Sequence, residues 1–518
     1  MATAIDVPER FNAATHFLDR HVAEGHAART AFRFASRDVT YGEVALRANR
    51  LGHALLARDV RMEQRVLLAL PDRPEFAEAF WGAVKIGAVP VPVSDGLPAE
   101  ELAFLLQDSR ARAVIASETA ATEILKIRAR CPALESVIVV GGRRRRGALE
   151  YERLLEKASP ELATADTSRD DVALWLYTSG STGRPKAAVH LHHGLVHAAE
   201  LVGRGTFGIA ADDLILSVSK LHFAFGLGNS LYFPALVGAA SVLAPERLEA
   251  ERVFELIQAE RPTLLFAVAT MYRRLLQIEG AEGRFDLSSL RLCVSSGEAL
   301  PAGIFHAWKS RFGHELLDVV GSTEALHDYI ANRPGEVRPG SSGRVIPGYE
   351  ARLVDDRDRP VAPGFVGQLL IKGGSTAAGY WNRHERTRAT MQGEWLRTGD
   401  MFYQDADGYF YFSGRQDDML KVGGMWVSPV EIEACLGEHP AVLEAAVVGR
   451  GDADGLTRAH AFCVLRDDRP GSDALAAELQ ALVRKRLAGY KSPRWVDFVP
   501  ELPKTTTGKI QRFALRRR

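Results

Sequence analysis

Cysteine is scarce in this chain. Cys131, Cys293, Cys435 and Cys463 are the four present among 518 residues. They lie far apart, in or beside apolar segments. That excludes a disulfide framework and shows none of the paired spacing of a zinc site. Long apolar runs are missing as well: none reaches the 18 residues that would read as a membrane-spanning helix. Asp6, Glu9 and Arg10 break up the first residues, so the basic-then-apolar layout of a secretory leader is absent there. Charge of one sign is not in excess either. Lys+Arg and Asp+Glu both total 65, so composition gives no argument for nucleic-acid or membrane binding. The one basic run, Arg143–Arg146, is flanked by Gly141, Gly142 and Gly147 and reads as a solvated loop. No internal repeat and no low-complexity tract occurs. These absences leave a globular enzyme of a reducing compartment, with cytoplasmic location expected. A hydrophobic fraction of 46% and a charged fraction of 25% are ordinary for that class.

Helical and extended patterns alternate over the first two thirds of the chain. Tyr41–Arg58 and Glu75–Ile86 have helical apolar spacing, as do Leu248–Glu260 and Leu300–Phe312. Between them lie short apolar runs: Val66–Leu70, Val89–Val93, Ala113–Ala116, Val137–Val140, Leu214–Val218, Leu264–Val268 and Leu290–Val294. Such alternation predicts layers of parallel α/β structure. After about Tyr349 the texture changes. Tyr349–Val354, Gly367–Ile371 and Met401–Phe412 are strand-like, with a hairpin turn expected at Asp405–Gly408. Beyond a glycine- and charge-rich stretch at Gly414–Gly424, a helix is expected at Pro429–His439. Strands follow at Ala441–Val448 and Ala459–Leu465, then a helix at Ala474–Leu487. The predicted organisation is an α/β N-terminal domain, residues 1–416, whose last part (about 335–416) is a small β subdomain. An α+β C-terminal domain, residues 417–518, follows.

The stretch with the clearest chemistry is Tyr177–Lys186, Tyr-Thr-Ser-Gly-Ser-Thr-Gly-Arg-Pro-Lys. The apolar run Val172–Leu176 precedes it as a buried strand, and a helix-compatible segment from about His193 to Val202 follows. Gly180 and Gly183 let the backbone approach a ligand closely. Successive N–H groups there can form an anion-binding concavity. Thr178, Ser179, Ser181 and Thr182 add hydroxyl donors, and Lys186 adds a full charge. The combination suits a polyphosphate, although Gly/Ser/Thr loops often only join elements. It is not a Walker A motif, because Arg184 and Pro185 separate the second glycine from the lysine. Two other patterns carry less. Gly203–Gly208 fits G-x-G-x-x-G, but it ends a helical pattern instead of leaving a strand. His190, His192, His193 and His197 have no nearby carboxylate or cysteine in the sequence to complete a metal set.

The Tyr177–Lys186 pattern resembles the signature loop of the acyl-adenylate-forming enzymes: acyl- and aryl-CoA ligases, peptide-synthetase adenylation domains and firefly-type luciferases. Further stretches extend the resemblance over residues 41–518. Ser295–Pro301 is similar to the family's adenine-holding turn, which implicates Ser296, Gly297 and Glu298. Asp318-Val-Val-Gly-Ser-Thr-Glu324 resembles the segment in which the threonine, here Thr323, contacts the α-phosphate. The glutamate of that segment, here Glu324, helps hold Mg²⁺. Asp318, Gly321 and Ser322 belong to the same nucleotide site, and Val320 stands where an aromatic residue often stacks on adenine. Trp395–Asp400 is similar to the ribose-binding motif, with Asp400 as acceptor. Ser413–Lys421 resembles the hinge motif, with Arg415 toward the ribose or phosphates and Asp417 as pivot. Phe412, just before it, is placed with the nucleotide-binding residues. Lys421, Gly423 and Gly424 would lie on the CoA side. Lys509, in Pro503–Ile510, resembles the lysine that bridges carboxylate and α-phosphate.

The closest match within that family is to the benzoate-CoA ligase branch, carried by Lys220–Asn229, Gly321–His327 and Asp417–Lys421. The resemblance implies an aryl pocket of His222, Phe223, Ala224, Phe225, Gly321 and His327. It also implies ATP and CoA as co-substrates, Mg²⁺ as cofactor, an aromatic acid as partner, and a monomer or homodimer. The chain departs from the branch at three places: His222 replaces an expected Phe, Phe225 a Tyr, and Asp328 an aliphatic residue. A polar ring substituent, such as the amino group of 2-aminobenzoate or a hydroxyl, would give those groups a partner. In this family the C-terminal domain rotates about the hinge between adenylation and thioester formation. A free-standing adenylation enzyme loading a carrier protein is the alternative that the first-step residues cannot separate.

Overall fold

The computed structural model describes residues 5–142, 145–178, 184–422, 425–452, 456–466, 470–504 and 510–516. They fall into two compact units. The larger comprises the chain up to Pro339 with Val345–Glu350 and Ile371–Leu396. The smaller comprises Gly340–Arg344, Ala351–Leu370 and Arg397–Arg518. None of the described helices is long and apolar enough to cross a membrane. The four cysteines are buried and unpaired.

Two parallel sheets build the larger unit. In the first, Val89–Val93, Arg65–Ala69, Ala113–Ala116, Ser136–Val139 and Leu149–Glu150 lie side by side, all parallel. Helices cover both faces of such a sheet, so its strands read as unbroken apolar runs. Val-Pro-Val-Pro-Val at Val89–Val93 takes the edge, where prolines without a backbone donor are tolerated. Helix Tyr41–Leu56 begins at a capping box in which the Thr40 hydroxyl accepts from the Glu43 N–H and the Glu43 carboxylate accepts from the Thr40 N–H. Helix Pro74–Lys85 has proline in its first turn, where the missing donor costs nothing.

The second sheet has nine strands. Its parallel part runs Leu316–Gly321, Leu292–Ser295, Leu264–Ala267, Leu214–Ser217, Ala240–Val242 and Thr30–Phe34. Its core includes Leu216, Phe254, Tyr272 and Trp308. The chain order around strand Leu214–Ser217 locates a crevice: the next strand lies on one side of it and the one after on the other. Strand Arg65–Ala69 is flanked in the same way. Ligands of parallel sheets bind beyond the carboxyl ends of strands at such reversals. The loops leaving these two strands meet, since the Leu221 N–H donates to Asp72 Oδ1 at 2.9 Å.

A third, antiparallel sheet joins Gly379–Tyr380, Lys186–Leu191 and Val172–Thr178. This corrects the expected order. The phosphate-type loop leads from strand to strand, with Thr178 opposite Lys186, and helix His192–Ala198 begins only after the second strand. Gly203–Gly208 lies at the end of a π-helical turn, Ala199–Arg204, with the Ile209 N–H returning to the Gly203 carbonyl. It is a helix terminus and opens no helix.

The smaller unit begins with strand-rich structure. Trp395–Gln404 and Phe410–Arg415 pair around the expected turn, closed by Gly408 N–H to Asp405 O. Gly414–Gly424 proves more structured than the sequence implied. Its described part holds a 3₁₀ turn, Gln416–Asp418, and strand Leu420–Val422, which pairs with Met425–Val427. Helices Pro429–Gly437 and Asp473–Arg486 then pack on strands Val442–Gly451 and Thr457–Leu465, with Trp495–Phe498 alongside.

Candidate active site

At the carboxyl edge of the nine-stranded sheet, strand Leu316–Gly321 turns through Ser322–His327 and returns as Asp328–Ala331. Ser322 caps the 3₁₀ turn Thr323–Ala325 with its hydroxyl, which accepts from the Ala325 N–H. The backbone here is clamped from three sides. His190 Nε2 donates to the Thr323 carbonyl at 2.9 Å, Ala377 N–H to the Glu324 carbonyl at 2.7 Å, and the Ser375 hydroxyl to the Ala325 carbonyl at 2.7 Å. Burial pushes the His190 imidazole down to about 4, so at neutral pH it is a neutral donor at Nε2.

Glu324 and Lys186, 138 positions apart in sequence, meet in this structure. Lys186 Nζ lies 3.2 Å from Glu324 Oε1. Tyr380 joins them: its hydroxyl accepts from Lys186 at 2.5 Å and donates to Glu324 Oε1 at 2.5 Å. The ammonium also sits 3.8 Å from the Tyr380 ring centroid. Burial opposes ionisation of Glu324, but Lys186 and the Tyr380 hydroxyl outweigh it and hold the carboxyl below its ordinary range. The group is therefore an anion at neutral pH. Among the described residues no three His, Cys, Asp or Glu side chains converge into a metal cage. A lone ionised carboxylate beside a phosphate-type loop fits Mg²⁺, which takes one or two carboxylates and completes its shell with phosphate oxygens and water.

The adenine-type turn follows strand Leu292–Ser295. Gly297 has φ of +85°, a conformation glycine adopts without strain. Glu298 turns back into the fold, where its Oε2 accepts from Thr270 N–H at 3.2 Å and the Thr270 hydroxyl at 2.7 Å. Ser296 donates to Asp328 Oδ1 at 2.9 Å. Asp318 is buried, and its carbonyl accepts from both the backbone and side-chain N–H of Asn332. Val320 and Gly321 are half-buried at the strand end.

The expected aryl stretch leaves the central reversal of the sheet. Lys220 anchors it by donating to the carbonyls of Ala244 and Glu246 at 2.5 and 2.6 Å. His222 and the exposed Phe223 stack obliquely, ring centroids 4.2 Å apart, and burial with Lys220 nearby lowers His222 to about 4. Ala224 and Phe225 then open a helical run, Ala224–Leu227, that passes through a π-helical turn, Gly228–Tyr232, into Phe233–Val237. His327 is sealed between Phe225 and Phe233, at centroid distances of 5.4 and 4.4 Å, and its Nε2 lies 3.3 Å from the Phe225 carbonyl. Asp328 is as deeply buried as His327, with Oδ2 3.0 Å from His327 Nδ1. Asp328 thus accepts from Ser296 and lies against His327.

Other expected residues belong to the smaller unit. Arg415 lies opposite Asp400 in the hairpin and donates to its Oδ1 at 2.7 Å, while Phe412 packs on Phe402 with centroids 5.4 Å apart. Asp417 sits in the 3₁₀ turn, its carbonyl accepting from Arg516 at 2.8 Å. Ser179, Gly180, Ser181, Thr182, Gly183, Gly423, Gly424 and Lys509 lie outside the described residues, as does the side chain of Lys421. Sequence reasoning missed Tyr380 and Ser375 and weighed His190 only as a metal ligand; the bonds that bring these three to the turn span 50 or more positions. The histidine cluster is structural in its geometry: His192 Nδ1 accepts from Ala13 N–H, and His193 Nδ1 reaches the Arg169 carbonyl and Asp170.

Comparison with known proteins adds further observations. The benzoate–CoA ligase of Thauera aromatica is 43% identical over 99% of this chain and 97% of its own length. The 4-hydroxybenzoate–CoA/benzoate–CoA ligase of Rhodopseudomonas palustris is 44% identical over 98% and 94% respectively. A solved anthranilate CoA ligase in complex with anthranoyl-AMP superposes with a TM-score of 0.93 at 41% identity, covering 99% of this chain and 98% of that one. Residues 19–381 match the family described as AMP-binding enzyme, residues 431–509 match the AMP-binding enzyme C-terminal domain, and the chain belongs to that family.

Proposed function

We propose that the protein is an ATP-dependent aryl-CoA ligase, an AMP-forming acid–thiol ligase acting on benzoate-type carboxylates. The observation that carries this is the meeting of Lys186 and Glu324 across 3.2 Å, on the same turn that places His327 against Phe225. A cation suited to phosphate and a carboxylate suited to a metal thus meet on the turn whose far end, His327, packs on the aromatic stretch. Full-length similarity to aryl-CoA ligases supports the same reading.

In the first step a carboxylate oxygen of the acid attacks the α-phosphorus of ATP and pyrophosphate leaves. Such a transfer depends on positioning and charge neutralisation. Thr178–Lys186 would bind the β- and γ-phosphates, and Thr323 the α-phosphate. Glu324 would hold Mg²⁺, which supplies charge neutralisation at the phosphates when bound. Asp400 and Arg415 would take the ribose, and Lys509 would draw carboxylate and α-phosphate together. In the second step the CoA sulfur attacks the acyl carbon and AMP leaves; the thiol is ionised enough near neutral pH to need no dedicated base.

The pocket favours a substituted ring. His222 is neutral at pH 7 and keeps both donor and acceptor capacity. The decisive experiment is kcat/KM on a panel of aryl acids, scored by pyrophosphate release and by CoA thioester formation. Preference for 2-aminobenzoate or a hydroxybenzoate over benzoate is expected, with little activity on long-chain acids. A site built for a polar substituent rejects the bare ring by up to ~10⁴-fold. His222→Phe and Asp328→Ile should each move preference toward benzoate. Wild-type preference for benzoate would refute the substituent argument, and preference for a fatty acid would overturn the aryl pocket.

A further inference from the structure

We infer that Tyr380 is a positioning residue for nucleotide binding: its hydroxyl sets the orientation of both the phosphate-binding lysine and the metal-binding glutamate. This rests on the ligase reading above. A phenol has one proton and two lone pairs, so it can accept from an ammonium and donate to a carboxylate at once. Tyr380 does both, at 2.5 Å each way, and it is the described group that touches Lys186 Nζ and Glu324 Oε1 together. Hydrogen bonds with one ionised partner are the strong ones, and here there are two on a single oxygen.

Tyr380 is itself fixed in place. It pairs across from Ala188 on strand Lys186–Leu191, two residues beyond the lysine. Its ring is buried against Ala188 and Ala377, and its backbone N–H donates to the Thr387 hydroxyl at 2.9 Å. The backbone of Glu324 is held by Ala377, three residues before Tyr380. One short segment, Ala377–Tyr380, therefore grips the glutamate main chain, the glutamate side chain and the lysine. Without nucleotide, Lys186 and Glu324 neutralise each other across the phenol. With nucleotide bound, Lys186 would pair with a phosphate and Glu324 would hold Mg²⁺ in place of that pairing. The phenol keeps one hydrogen bond to each group during the exchange, so neither has to search for its working orientation.

Tyr380→Phe deletes the hydroxyl and keeps the buried ring. The test compares wild type and variant in three measurements: calorimetric affinity for the Mg²⁺ complex of a non-hydrolysable ATP analogue, half-saturating Mg²⁺ for pyrophosphate release, and KM for the aryl acid. The expected result is about a tenfold loss of nucleotide affinity and a similar rise in Mg²⁺ requirement, because Lys186 and Glu324 must then be ordered at the expense of binding. The acid KM should stay within about twofold and the melting temperature should fall by only a few degrees, because two hydrogen bonds are lost while the ring packing remains. Unchanged nucleotide affinity and Mg²⁺ dependence would overturn the inference. So would a uniform loss across all three measurements, which is the pattern of a structural role. A wild-type protein that releases no pyrophosphate from any aryl acid yet binds the analogue through Tyr380 would sink the ligase reading while sparing the phenol's role in nucleotide binding.

Discussion

At the scale of single residues, burial decides what the histidines can do. His190 and His192 are lowered to about 4 chiefly by desolvation, against an ordinary value of 6.5. Above pH 6.5 both are neutral in folded and unfolded chains, and their contribution to stability is complete. Between pH 6.5 and 4 the unfolded chain takes up protons that the folded chain refuses, so stability falls as pH falls. Each histidine accounts for up to about 3 kcal/mol over that window. His192→Asn should flatten the slope of unfolding free energy against pH in this range. Asn keeps an acceptor for the Ala13 N–H that Nδ1 now receives at 3.1 Å, but it cannot titrate. An unchanged slope in denaturant titrations at pH 6.5 and 4.5 would show that His192 is not among the linked groups. None of this was legible in the sequence, where His190–His197 could be judged only for metal spacing. Burial is set by strand Lys186–Leu191 and the N-terminal segment closing over the side chains, and local pattern does not report it.

At the scale of elements, the helical run from Ala224 to Val237 shows which parts of the sequence signal were physical. Phe223-Ala-Phe-Gly-Leu-Gly228 reads as a flat, tightly spaced stretch, and the structure gives the reason for both glycines. A Cβ on Gly226 would overlap the carbonyl oxygens of Lys220 and Ser219, which are backbone and cannot step aside. A Cβ on Gly228 would overlap the His327 ring, with Nε2 at 2.7 Å, and that ring is held between Phe225 and Phe233. Gly228→Ala should therefore cost about 1–3 kcal/mol of stability by overpacking. It should also raise KM for the aryl acid more than KM for ATP, because His327 is the side chain displaced. Thermal melts and separate KM determinations check this; equal effects on both substrates would show that the strain spreads beyond the acid site. The π-helical turn was not legible, though its cause lies nearby. Pro234 has no N–H to give, and the wider turn before it accommodates the freed carbonyl. Strand Lys186–Leu191 was likewise missed. Lys-Ala-Ala-Val-His-Leu has weak strand character of its own and is extended because Val172–Thr178 pairs with it.

At the scale of the whole molecule, composition and element order were enough to assign the α/β class and the texture change after Tyr349, because long apolar periodicity survives without tertiary knowledge. Where a pivot would lie is a different question. Compactness groups Gly340–Arg344 and Ala351–Leu370 with everything from Arg397 onward, whereas the resemblance places a hinge at Asp417. Two neighbouring residues of the smaller unit bond in different directions at that point. Gln416 Oε1 accepts from Gln368 in the strand-rich part, while the Asp417 carbonyl and the Asp418 carboxylate accept from Arg516 near the C-terminus. A pivot between Gln416 and Asp417 would leave both of these intact, but it would break the Met419 N–H to Arg415 carbonyl bond and the bond from the Ser428 hydroxyl to the Ser413 carbonyl, which cross it. If the two half-reactions use different arrangements about that pivot, they must separate in mutants. Asp417→Pro fixes φ near −65° and removes a donor, and should preserve one half-reaction while suppressing the other. Lys509→Ala should slow aryl-adenylate formation by about 10²–10³-fold, the cost of one preorganised charge-stabilising group. It should leave thioester formation from presynthesised aryl-AMP much less affected. Both half-reactions are measured separately, by pyrophosphate release without CoA and by thioester formation from the adenylate. Equal loss in both for Lys509→Ala, or full-reaction rates at the wild-type level for Asp417→Pro, would remove the case for two working arrangements.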